Sequence, residues 1–142
     1  MIRDNRGQIS LEYLLIFSVS FIILIVFTLP LLEESLNYTF DVSDSIKTKS
    51  DLSKLSNAIK QVYGEGQGSK KTVTLDVDKS VKININNNQV SSKIKLKNNQ
   101  YKEITINVKS KLKTTSFKLT KGEKIFIIEW PENSENMIIS QK

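Results

Sequence analysis

The chain has 142 residues, 39% of them hydrophobic and 25% charged, with a formal net charge of +6. It contains neither Cys nor His, which excludes a disulfide framework, a thiol or imidazole nucleophile and the usual soft metal ligands. It also has no Gly-rich phosphate loop, no paired-carboxylate motif of recognisable spacing and no internal repeat, so the composition points away from an enzyme and calls for no cofactor and no metal.

The first element is an apolar run. From Tyr13 to Leu32 there is no charged residue, and about 20 residues of helix at about 1.5 Å each span about 30 Å, the thickness of a bilayer's hydrocarbon core. A transmembrane helix is therefore expected at about residues 13–32. Arg3 and Arg6 precede it, whereas Glu33, Glu34, Asp41 and Asp44 follow it with no Lys before Lys47. The positive-inside rule puts the N-terminus in the cytoplasm and everything from Glu33 onward outside. The run is too long for the core of a conventional secretory signal, and TLPLLEESL offers no small-x-small cleavage site behind it. Glu12 stands at the cytoplasmic edge of the run, where an ionised carboxylate is costly in lipid unless it reaches the interface or a partner.

About 110 residues follow the apolar run, enough for one small domain. Pro30 removes a backbone donor and is expected to kink the helix. Ser35 to Ser45 is rich in residues that favour caps and turns, so a break or a loosened section is expected there. Val42, Ile46, Leu52, Leu55, Ile59, Val62 and Tyr63 then fall largely at spacings of three and four, which predicts an amphipathic helix with one buried face. GEGQGS, from Gly64 to Ser69, ends it and reads as a flexible joint.

Beyond the joint the period falls to two. Val73 to Val77, Val81 to Ile85, Val90 to Leu96, Ile104 to Val108 and Thr115 to Leu119 alternate apolar with polar residues, as half-buried strands do. Asp78-Lys79, Asn86 to Asn88, Asn98-Asn99 and Lys121-Gly122 supply turn chemistry between them. Lys124 to Trp130 is apolar on both faces and reads as a central strand that Pro131 stops. Met137 to Ile139 would add a short edge strand. The expected fold class is α+β: a long N-terminal helix followed by a meander of about six antiparallel strands.

The residues around the start of the apolar run carry a further signal. Arg6, Gly7, Gln8, Ser10 and Glu12 resemble the class III signal peptide of archaeal type IV pilin-like proteins, in which a short basic leader and Gly precede Gln-x-Ser-x-Glu-x-x-x-Leu. Gln8, Ser10 and Glu12 fit the polar positions, and Ile16 stands in place of Leu with its apolar character kept. The resemblance implies a prepilin peptidase that cuts after the Gly, here at the Gly7 to Gln8 bond. It divides the chain into a cleaved leader at 1–7, a long helix at 8–64 and an antiparallel β domain at 65–142. It also implies polymerisation with other pilin subunits through the helix, with the Glu12 carboxylate meeting the N-terminal amine of a neighbour. The physics is consistent with this: a Gly leaves the backbone free to extend into a narrow cleft, the new amine on Gln8 lies at i,i+4 from Glu12, and pairing offsets the burial of two charges that would each be costly alone.

The function implied is a structural subunit of a surface filament, held in the cell membrane as a precursor and exposed at the cell surface after assembly, serving attachment. Two alternatives share many of these features: a minor or initiating pilin, and an uncleaved single-span protein whose outer β domain binds a ligand. From Glu65 onward there are 15 Lys against eight acidic residues, which suits an acidic surface or polysaccharide as partner. Both Arg residues lie in the leader, so the outer part lacks the fork that clamps phosphates bidentately, which argues against nucleic acid. Asn37-Tyr38-Thr39 is an N-glycosylation sequon placed just beyond the apolar run.

Overall fold

The structure is a computed structural model that describes the backbone from Asn5 to Lys142 and side chains from Ser10 onward; the leader residues Met1 to Asp4, with Arg3, lie outside the described residues. One helix, α1 (Asn5–Glu65), is followed by seven strands: β1 (Lys70–Val77), β2 (Val81–Ile85), β3 (Gln89–Lys95), β4 (Tyr101–Asn107), β5 (Thr115–Leu119), β6 (Gly122–Glu129) and β7 (Ile138–Gln141). The arrangement is α+β, as the sequence predicts. The chain forms two compact units that divide between Phe40 and Asp41.

α1 is continuous through the stretch where a break or a loosened section is expected. It runs through Pro30 and through Ser35 to Ser45 without interruption. The Ser and Thr hydroxyls explain the second stretch: Thr39 Oγ1 donates to the Ser35 carbonyl at 2.9 Å and Ser45 Oγ to the Asp41 carbonyl at 2.7 Å. Bonded back to their own helix, these groups no longer compete with it for backbone partners.

In the first unit the helix exposes its apolar side chains all round. Leu15, Phe17, Phe21 and Phe27 are each more than half exposed, at 65%, 68%, 52% and 70%. Phe17 and Phe21 stack across one turn with centroids 6.1 Å apart.

In the second unit the last turns of α1 bury one stripe. Leu52, Leu55, Ile59 and Val62 are fully buried, at alternating spacings of three and four. Val42 and Ile46, expected on the same face, are exposed at 57% and 64%. Six positions separate Ile46 from Leu52, about 240° round the helix at about 100° per residue. Traced backward by threes and fours, the buried stripe passes through Thr48, Ser45 and Asp41 instead, and Ser45 is buried.

The strands form two antiparallel sheets, β1-β6-β7 and β4-β3-β2-β5, where alternation alone suggests one meander. β2, β3 and β4 do form a meander, but β1 pairs along its whole length with β6, from Lys70 opposite Glu129 to Val77 opposite Gly122. β5 returns to the free side of β2. β6 is central in its sheet and β7 forms its edge, both as predicted.

Each sheet turns one face to a common core. Leu75, Phe126 and Ile128 come from the first sheet, Ile83, Ile85, Val90 and Leu119 from the second, and all belong to one buried cluster with the helix stripe. Phe117 on β5 meets Phe126 on β6 edge-on, with ring centroids 5.2 Å apart, and so joins the sheets directly.

The turns follow their residues. Asn86 Oδ1 accepts the N–H groups of Asn88 and Gln89 at 2.9 and 2.8 Å, closing the β2–β3 hairpin as an Asx turn. Asn99 takes a positive φ of 62° between β3 and β4. The joint after α1 is tied rather than loose. Gly66, with φ 87°, donates its N–H to the Val62 carbonyl at 3.1 Å, and Gly68 donates to the Trp130 carbonyl at 2.6 Å. Trp130 N–H returns a bond to Ser69 at 2.9 Å, and the Trp130 ring stacks on Tyr63 at 5.8 Å. Hydrogen bonds that reach from the joint to β6's end fix what Gly content alone would leave free.

Candidate functional site

The residues singled out at the N-terminus lie on one uninterrupted helix. Arg6, Gly7 and Gln8 have helical backbone, and their side chains lie outside the described residues. Gln8, Glu12 and Ile16 follow one another at i,i+4 and share a helical face. Ser10 is two positions from both Gln8 and Glu12, so within one chain it points to another side of the helix. Ser10 and Glu12 are exposed, and Ile16 is 58% exposed. Glu12 makes no ion pair among the described residues.

The helix beyond this face is suited to lipid. It is long and apolar enough to cross a membrane, with a window of mean hydropathy 2.8 that is wholly unburied. Its hydroxyls are satisfied internally: Ser18 Oγ donates to the Leu14 carbonyl at 2.8 Å and Thr28 Oγ1 to the Leu24 carbonyl at 2.6 Å. No water is therefore needed at that depth for these groups. Asn37 lies on the same helix, partly buried, and the hydroxyl of its sequon partner Thr39 is bonded to Ser35.

A second cluster, not among the expected site residues, ties α1 to the turn between β1 and β2 and, through Asp41, to the turn between β3 and β4. Lys47 pairs with Asp78 and lies 3.9 Å from Asp76, Lys79 pairs with Asp44, and the Asp41 carboxylate accepts the backbone N–H of Lys97 at 2.9 Å. The hydrogen bond that the Lys47 ammonium donates to Asp78 is the main reason that it is held above the usual lysine value of 10.5; desolvation opposes it, and the Asp78, Asp76 and Asp51 charges add lesser contributions in the raising direction. A signal was available in the sequence. Asp41, Asp44 and Lys47 recur every three residues on α1, and Asp78-Lys79 offers the opposite charges in one turn. Under this clamp lies a cavity of about 110 Å³ floored by Leu52, Leu75, Ile83 and Leu119. On its charged rim Lys47 pairs with Asp78 and Lys79 with Asp44, and the lining brings together no nucleophile with a base. Among the described residues no group of three His, Cys, Asp or Glu could hold a metal ion.

Compared with known proteins, residues 5–31 match the family model described as Class III signal peptide. No curated protein and no solved structure matches the chain. The matched segment covers the whole Gly7 to Ile16 motif and most of the apolar run. Its identification as a class III signal peptide is consistent with a type IV pilin-like protein, and one long apolar helix followed by antiparallel sheets matches the type IV pilin-like fold.

Proposed function

From a class III signal peptide on a type IV pilin-like chain, we propose that this protein is a structural subunit of an archaeal type IV pilus-like filament that serves surface attachment. The observation that carries the reading is the helix directly behind the signal motif, whose apolar side chains from Leu11 to Leu32 have nothing covering them. Such a surface must be solvated by lipid or by other helices. It is solvated first by one and then by the other.

A prepilin peptidase removes residues 1–7 at the cytoplasmic face, leaving an amine on Gln8. The subunit, residues 8–64 as helix and 65–142 as β domain, then leaves the membrane for a bundle of neighbouring helices. Exchange of lipid for protein contacts is nearly neutral in hydrophobic terms, so packing and polar pairing must supply direction and register. Glu12 is the one charge available at that depth. Pairing it with the Gln8 amine of a neighbour neutralises two groups that would each be costly to bury alone. The sheets remain outside, facing solvent, and Asn37, just beyond the apolar run in sequence, is a glycan acceptor.

Two variants test the reading together. Gly7→Val places a branched side chain before the scissile bond and blocks processing, so protein of mature size from it would remove the assigned site. Glu12→Ala is cleaved normally but enters filaments poorly, and a wild-type filament yield from it would remove the pairing.

A further inference from the structure

The outward face of the four-stranded sheet has a charge arrangement that solvation does not account for. Register sets Lys118, Lys82 and Lys93 directly opposite one another on β5, β2 and β3. At about 4.8 Å between strands, the three side chains are rooted within about 10 Å of one another. Like charges directly opposite on a sheet oppose its stability. The usual use of Lys as an edge guard does not apply to Lys82 and Lys93, because β2 and β3 are the interior strands. Only Lys93 has an acidic partner, Glu103 at 3.9 Å, and Lys82 and Lys118 make no ion pair among the described residues.

The rows beside the lysines add a second kind of chemistry. On one side Ser116, Asn84, Ser91 and Thr105 stand in register across all four strands; Ser116 and Thr105 are exposed and Asn84 partly so, whereas Ser91 is buried. On the other side Lys95 lies opposite Tyr101, which is 70% exposed on the edge strand β4.

We propose that this face binds an acidic polysaccharide. The ammonium row holds carboxylates or sulfates along the polymer, the Ser116 and Thr105 hydroxyls and the Asn84 amide exchange hydrogen bonds with ring hydroxyls, and Tyr101 offers an aromatic platform to the C–H face of a sugar. Charge complementarity selects an anionic polymer. Between the two common kinds, a nucleic acid is the poorer fit, because this face has no Arg and one aromatic side chain in place of a series of stacking platforms. The inference rests on the proposed function only in requiring the sheets to lie outside the membrane.

The test uses the full chain in detergent, with immobilised alginate as the polyuronate probe, dextran as a neutral control and double-stranded DNA as the rival polymer. At about 0.1 M salt, where charges separated by more than about 10 Å are largely screened, the chain binds alginate and neglects dextran. The triple variant Lys82→Gln, Lys93→Gln, Lys118→Gln loses about tenfold or more in affinity, whereas Lys49→Gln, Lys60→Gln, Lys109→Gln, with the same loss of net charge, changes it less than about twofold. Lys82→Glu weakens binding while raising the unfolding temperature, because it replaces a like-charge row by an alternating one. Equal losses from the two triple variants, no retention of the wild-type chain on alginate, or tighter binding to DNA would each overturn the proposal. Processing is read separately from the mature N-terminus. A chain that begins at Gln8 but ignores alginate refutes this face alone, and one that binds alginate with its leader intact refutes the filament and leaves the face standing.

Discussion

Two isoleucines on α1 separate the part of the helix that holds the protein folded from the part that is left unpacked. Ile59 is fully buried and Ile46 is 64% exposed, although both belong to one helix and one apparent periodicity. Ile59→Ala removes three carbons at about 0.8 kcal/mol each and leaves a cavity besides, so the expected loss is about 3 kcal/mol, inside the range of about 2–5 kcal/mol for such truncations. For a cooperative unit of roughly 100 residues that is a fall of about 12–24 °C in unfolding temperature. Ile46→Ala deletes the same atoms from an exposed position and gains slightly in helix propensity, so its expected effect lies within about 0.5 kcal/mol of zero. Trp130, the only Trp in the chain, stacks on Tyr63 at the far end of the buried stripe and reports this unit by its fluorescence during thermal unfolding in detergent. Comparable destabilisation from both variants, or a loss below about 1 kcal/mol for Ile59→Ala, would refute the division of the helix into a packed and an unpacked part.

The joint and the clamp give further expectations. Gly66 has φ 87° with open space where a Cβ would go, so Gly66→Ala meets no neighbour and costs only the left-handed backbone penalty, about 1–2 kcal/mol. Gly64→Ala, also in open space but inside the helix, stabilises by about 0.5–1 kcal/mol, and denaturant midpoints that move the same way for both would contradict the capping geometry. The Lys47 pKa is raised on folding, so its contribution is complete below the unfolded value of 10.5 and is lost as pH rises through the folded value. The gap in urea midpoint between wild type and Lys47→Met should therefore stay constant from about pH 6 to 9 and close above about pH 10.5. A gap that widens in alkali would show that Asp78 does not hold the ammonium.

Local signals were legible in the sequence because they are local in cause. The Tyr13 to Leu32 run, the Asn and Gly turns, the alternation of each strand and the edge strand near Ile139 depend on neighbours a few residues away. Pairing did not show, because a partner such as β6 for β1 lies some fifty residues on, and alternation says which face is buried without saying against what. The helix face was misjudged at Val42 and Ile46 for a related reason: apolar residues there read as core, yet the stripe that meets the sheets continues through Asp41 and Ser45. The motif at Gly7 to Ile16 was fully legible, since it consists of residue types at fixed spacing. The lysine row on β5, β2 and β3 was not, because only register brings those three positions abreast.

Cleavage after Gly7 and assembly through the helix that begins at Gln8 both show at the mature N-terminus. The most direct measurement is the N-terminal sequence and intact mass of the protein recovered from sheared surface material and, separately, from membranes. A start at Gln8 is expected in the sheared fraction, with any excess over the polypeptide mass assigned by Asn37→Gln to a glycan. An intact leader found in membranes alone would contradict this expectation, and would make this an anchored protein in which Glu12 is an interfacial residue.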